Sequence, residues 1–167
     1  MPIFSHMFSG LFMPKPKPEP VVMGDSLGTF TLNKENFCGE VTLLGRGISV
    51  FLETDGKGNN TAGTALKSLH TFISKAAEWD TNIKKFAADD FADENGMIET
   101  WGGCENDSEG EIISKEEFMR RIEMNFIQFY RDGSLFFDYS LDDMFTDHGL
   151  GIYADISGAI ESCALWG

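Results

Sequence analysis

The chain has 167 residues, long enough for one domain with a proper core and too short for two comfortable ones. Its 15 phenylalanines supply large buried area without disulfides, and three cysteines outside any CxxC spacing (Cys38, Cys104, Cys163) suit free thiols in a reducing cytoplasm. A net charge of −14 argues against nucleic acid as a partner, because phosphate backbones attract basic surfaces.

The opening stretch MPIFSHMFSGLFMPKPKPEP has no basic n-region and is too short and polar for a membrane span, so neither a secretory signal nor stable membrane insertion is expected. Ile3, Phe4, Met7, Phe8, Leu11 and Phe12 nevertheless fall on one face of a helix. Alternating prolines over residues 14–20 then favour a stiff, extended linker. Residues 1–24 are thus an apolar helix on a spacer. It is expected to dock on the domain or on a second copy rather than on a membrane, since its polar face carries no Lys or Arg. Self-association through residues 3–12 is one consequence.

Residues 25–167 read as a single α+β domain. GTFTLN, NFCGEVTLLG and ISVFLET alternate apolar and polar residues with period 2 and are joined by short links, which predicts a three-stranded meander. TDGKGNN ends it as a loop in which Asn60 or Thr61 is placed to cap a helix carrying Ala65, Leu66, Leu69, Phe72, Ile73, Ala76 and Ala77. Asp80 is placed to cap a second helix, with Ile83, Phe86, Ala87 and Phe91 on its apolar side. GMIETWGGCENDSEGE is a loop. Ser114 and Glu117 have capping-box spacing, flanked by Ile113 and Phe118 at staple positions, and start a short third helix through Arg121.

In NFIQFYRDGSLFFDYS, Asp132-Gly133 is a tight hairpin signal; on a two-residue loop Phe129 faces Phe136 as an aromatic pair. GLGIYADI and AIESCALWG supply two last strands. The expected fold is α+β, an antiparallel sheet of about seven strands in βββ-ααα-ββββ order with helices packed on one face.

The carriers of a resemblance are NFCGEVTLLGRGISVFLE, ISKEEFMRRIEMNFIQFYRDGSLFFDYSLDDMFTDHGLGIYADISG and the terminal ALWG. Over residues 25–167 the chain resembles the bacterial domain-of-unknown-function family 2262. There an aspartate-rich turn after an aromatic strand leads to Phe, an aromatic, Gly-His and a last pair of strands. Asp142, Asp143, Phe145 and His148 match that motif, and Thr146 and Asp147 depart from it. The resemblance implies a soluble bacterial protein and the strand–helix–strand order, and it implies no reaction.

Two places carry charge enough to matter. Residues 138–156 hold five aspartates and a histidine. One reading is structural: Asp shapes the turn through side-chain–backbone bonds, Asp142 or Asp143 fixes the tautomer of His148, and His148 closes the turn. The other is a divalent-cation site on Asp142, Asp143, Asp147 and His148, with Asp138, because hard cations take several oxygens. No calcium-loop pattern, HExxH, GxSxG, Walker or dinucleotide fingerprint is present, so no cofactor and no catalytic residue is assigned.

The second place is residues 89–117, with eleven acids against the single base Lys115. It is a solvated, solubilising face or a docking surface for a basic protein, with Asp89, Asp90, Asp93, Glu94, Glu99, Glu105 and Asp107 as candidate partner-binding residues. Ranked first is a non-catalytic acidic protein-binding module of a bacterial cytosol, of immunity type in one version. A metal-dependent hydrolase or small-ligand enzyme at the Asp/His turn stands second, and a self-associating structural protein third.

Overall fold

Two runs of period-2 alternation flank a helical run. The computed structural model, which describes residues 21–103 and 109–167, joins both runs into one eight-stranded sheet. The apolar segment 3–12, the linker 14–20, Cys104, Glu105 and Asp107 lie outside the described residues. The first run forms β1 (Val22–Asp25), β2 (Gly28–Asn33), β3 (Asn36–Leu43) and β4 (Arg46–Glu53). Then come α1 (Gly63–Ile73), α2 (Ala76–Phe91), the short strands β5 (Met97–Glu99) and β6 (Ile112–Ser114), and α3 (Lys115–Arg121). The second run forms β7 (Glu123–Phe129), β8 (Ser134–Ser140), β9 (Gly149–Asp155) and β10 (Ile160–Trp166).

The class is α+β, and the sheet order is β1-β2-β3-β4-β7-β8-β9-β10. Three details differ from the sequence reading. The main sheet gains β1, which starts inside the stretch assigned to the tail and pairs Val22 with Thr31. Its two central meander ends, β4 and β7, pair in parallel, Val50 opposite Ile127. The intervening helices carry the chain back along the sheet so that β7 runs in the same direction as β4, as a parallel pair requires of its crossover. Finally, β5, inside the stretch read as a loop, pairs with β6 just beyond it as a separate two-stranded ladder. Three-residue strands are too short to display a period.

Alternation places Phe37, Val50, Leu52, Ile127, Phe129, Leu135, Phe137 and Ile152 on one face, all fully buried. The helices cover that face. Phe72 of α1 sits 5.8 Å from the ring of Phe129 and 5.7 Å from Phe137, and Trp79 of α2 sits 5.8 Å from Phe137. Phe86, read as part of the apolar side of α2, is only half-buried.

The caps also differ. Neither Asn60 nor Thr61 caps α1. The carboxylate of Asp55 does so from the preceding loop, accepting from Gly63 N at 2.9 Å, Thr64 N at 3.0 Å and Thr61 Oγ1 at 2.7 Å. These bonds to the charged form, led by that from Thr64, hold its carboxyl down at about 2. A depressed carboxyl contributes stability above its unfolded value near pH ~4 and loses it as pH falls through the folded value. The unfolding temperature is therefore expected to drop less between pH ~4 and ~2 in Asp55→Asn than in the parent chain, read by thermal scans across that window. Equal slopes would show that the cap is not coupled to folding.

Asp80 is not a cap either: it lies inside α2, where it accepts from the buried Tyr139 hydroxyl at 2.9 Å and pairs with Lys84 at 3.2 Å. Ser114 does cap α3, accepting from Glu117 N at 3.2 Å. The reciprocal arm of the box is absent, because Glu117 turns to Arg120, 2.5 Å away.

The β7–β8 hairpin is one residue longer than expected. Tyr130 N bonds Ser134 O at 3.0 Å, Gly133 N bonds Tyr130 O at 3.2 Å, and only Gly133 takes a positive φ, 93°. That is a turn closed by a left-handed glycine, the three-residue alternative to the tight type I′ loop. Asp132 favours it by accepting from Ser134 N at 2.9 Å. Phe129 therefore pairs with Leu135, and Phe136 pairs with Gln128 on the opposite face.

Candidate functional site

The aspartate-rich turn between β8 and β9 is built on buried apolar residues. Leu141, Met144 and Phe145 are buried, and Phe145 packs 5.5 Å from the rings of both Phe91 and Trp101. Asp142, Asp143 and Thr146 take φ of 48°, 56° and 57°. Non-glycine residues rarely enter this left-handed region, and Asp does so more readily than most, which gives the aspartates a backbone reason. The turn is clipped to the preceding loop by Trp101 N to Met144 O and Thr146 N to Gly102 O, each 2.8 Å.

The candidate metal ligands do not converge. Asp142 Oδ2 accepts from Arg121 Nε at 2.9 Å, its carbonyl accepts from Nη2 at 3.0 Å, and the same guanidinium pairs with Glu111. His148 does not meet Asp142 or Asp143 by hydrogen bond. Its Nδ1 lies 2.8 Å from Thr146 Oγ1 and 3.2 Å from Phe145 O, with Asp147 3.6 Å away. The imidazole stands edge-on to Trp101 at 5.7 Å. Asp143 is exposed. Among the described residues no three His, Cys, Asp or Glu side chains are grouped to hold a metal ion. A shallow polar depression of about 320 Å³ does border Arg121, Asp142, Asp143, Glu109 and Glu111, but its cation is already neutralised by two carboxylates. Adding Ca²⁺, Mg²⁺, Mn²⁺ or Zn²⁺ after EDTA is expected to leave the unfolding temperature unchanged. A shift that disappears in Asp143→Ala and His148→Ala would make this turn a metal site.

The acidic segment is partly spent within the fold. Asp89 pairs with Lys85 at 2.6 Å and Lys115 at 2.8 Å, and the Lys115 bond leads in holding its carboxyl down at about 2. Asp90 accepts from Cys163 Sγ at 3.3 Å. Burial, then Asp90, push that thiol up to about 12, so it is no nucleophile at neutral pH. Asp93 closes a turn by accepting from Asn95 N and Met97 N, each at 2.8 Å. Glu94 and Glu99 are exposed and pair with no cation among the described residues.

The feature with the greatest binding potential is on the other face of the sheet. No helix among the described residues covers it, and a row of aromatic rings crosses it from β4 to β10. Phe51 meets Phe126 at 5.4 Å, Phe126 meets Phe136 at 5.8 Å, and Phe136 meets Tyr153 at 4.9 Å and Trp166 at 6.2 Å. Tyr153 and Trp166 are each 48% exposed. Space for the rings comes from β9. A Cβ at Gly151 would lie 2.9 Å from Phe136 Cε2 and 3.1 Å from Trp166 Cδ1, and one at Gly149 would lie 3.1 Å from Trp166 Nε1. Under the row Asp138, only 6% exposed, accepts from Trp166 Nε1 and from Asn125 Nδ2, each at 3.0 Å. Sequence reading placed Asp138 in a strand and left Trp166 unremarked. The available signal was the GxG of β9 opposite AxW in β10.

A family model described as an uncharacterized protein conserved in bacteria, DUF2262, matches residues 24–165. The chain belongs to this family. The DUF2262 match takes in the whole sheet apart from the ends of β1 and β10, the Asp/His turn, and every ring of the aromatic row except Trp166, one residue beyond it. Comparison with curated proteins and with solved structures gave no match. No helix among the described residues is long and apolar enough to cross a membrane.

Proposed function

We infer that this chain is a non-catalytic protein-binding module of the bacterial cytosol and that its partner is basic. The observation that carries the reading is the aromatic row on a sheet face that no described helix covers, in a chain of net charge −14. Tyr and Trp concentrate binding energy at interfaces, because they bury large area with few rotatable bonds and keep a polar tip. A strongly acidic surface steers a basic partner and raises the association rate. One concrete form is an immunity-type protein that blocks a basic toxin enzyme.

The reading is tested by stopped-flow association of the full-length chain with a lysine- and arginine-rich peptide, with its glutamate-substituted counterpart as control. The rate for the basic peptide is expected to fall steeply as salt rises from ~0.05 to ~0.5 M, as the Debye length shrinks. No binding at low salt, or a rate indifferent to salt, would remove this function.

A further inference from the structure

We propose that the pocket between Phe136, Tyr153 and Trp166 receives an arginine side chain of the basic partner, its guanidinium stacked on the Trp166 indole. The assignment rests on the protein-binding reading above and names the chemistry that reading would use.

The pocket is a depression of about 220 Å³ lined by Phe136, Gly151, Tyr153, Ser162, Ala164 and Trp166. Its walls are aromatic faces and small residues, and the absence of side chains at Gly149 and Gly151 lets the indole lie down on the sheet rather than stand off it. An aromatic wall alone would suit any apolar ligand. Three observations select a cation.

Asp138 is the first. A buried carboxylate is costly unless its charge is balanced, and here its partners are the neutral donors Trp166 Nε1 and Asn125 Nδ2. No cation pairs with Asp138 among the described residues. A positive ligand on the far side of the indole would supply the missing balance. Second, the carboxylate draws on the indole N–H, which polarises the ring and enriches the face that a cation meets. Third, the outward strand positions of this face include Glu40, Asp138 and Asp155, with Glu53 already paired to Arg131 of the hairpin loop at 3.6 Å, and they include no Lys or Arg among the described residues.

Within the cations, arginine fits better than lysine. A guanidinium is planar, stacks on rings and gives up its hydration more readily than an ammonium. The pocket wall is almost wholly apolar, so a guanidinium lies against it through its plane while its edge N–H groups stay open to water.

The test uses ¹H–¹⁵N spectra of the full-length chain titrated with a hexa-arginine peptide, then hexa-lysine and hexa-glutamine, at about 0.15 M salt. Hexa-arginine is expected to shift the Trp166 indole resonance saturably and to bind more tightly than hexa-lysine, with hexa-glutamine inert. Trp166→Leu and Asp138→Asn are each expected to weaken it about fivefold to tenfold. Tyr153→Ser, at an exposed position, replaces Asp138→Asn should the buried change impair folding. Hexa-arginine binding unaltered by these variants would overturn the pocket while leaving a basic partner in place, and no binding of any basic peptide would overturn both. A Trp166 resonance that moves when Phe4 and Phe8 are changed to Ser, with no peptide present, would put residues 3–12 of the chain in the pocket and overturn the proposal as well.

Discussion

Replacing Phe72 with Ala is expected to lower the unfolding free energy by about 3–5 kcal/mol, the range for deleting a fully enclosed aromatic ring. Phe72 has no exposed surface and holds three rings at once: Trp79 at 5.8 Å, Phe129 at 5.8 Å and Phe137 at 5.7 Å. It therefore joins α1 to α2 and both to the central strands β7 and β8. Its neighbours cannot collapse into the space, because two of them are fixed in sheet register. Domains of this size have roughly 5–15 kcal/mol in total, so the variant should unfold on the order of 10 °C lower. Urea unfolding measures it directly. A loss below about 1 kcal/mol would mean that the helix layer does not rest on this ring.

Much of the architecture was legible because period-2 and helical spacings report which face of an element is buried. The strands from β2 to β4, α3 and the last four strands fall where alternation and spacing put them, but α1 ends at Ile73, so Ala76 and Ala77, read as part of the first helix, open the second one well before Asp80. What escaped was decided by partners distant in sequence. The cap of α1 comes from Asp55, several residues before the helix, and Asp80 is taken by Tyr139 of a strand across the core. The parallel pairing of β4 with β7 depends on how the helical insertion returns, which no local pattern records.

The hairpin shows how one residue of register changes a surface. Asp132-Gly133 was read as a two-residue loop, which would set Phe136 opposite the buried Phe129 and place both under the helices. The longer turn pairs Phe129 with Leu135 instead, and every side chain of β8 exchanges faces relative to that expectation. Phe136 moves outward to join Phe126, Tyr153 and Trp166, and Phe137 moves inward to meet Phe72. The same shift turns Asp138 outward, beneath Trp166. The aspartate-rich turn was conspicuous as a string of letters, yet its Asp142 is bound to Arg121 and its backbone conformation accounts for the residue type. The aromatic face was inconspicuous because its rings come from five strands and meet only in the folded sheet.

Glycines opposite aromatic rings serve both faces of this sheet, and the buried case predicts a second large effect. On the helix side a Cβ at Gly39 would lie 2.6 Å from Phe30 Cδ1 and 2.7 Å from Thr29 O. Phe30 is fully buried, so its ring lies across β3 in the place a side chain at position 39 would take. Gly39→Ala is expected to cost about 1–3 kcal/mol through overpacking, and Gly39→Val more, since the Thr29 carbonyl is backbone and can yield only by parting β2 from β3. The two contacts are separable by a double-mutant cycle. Phe30→Ala clears the ring but leaves the carbonyl, so Gly39→Ala should cost less in that background without becoming free, a coupling of about 0.5–3 kcal/mol in denaturant unfolding. Strict additivity would show that the ring does not occupy the glycine's space. Full relief would show that the ring alone opposes a side chain there and that the two strands adjust to it without loss.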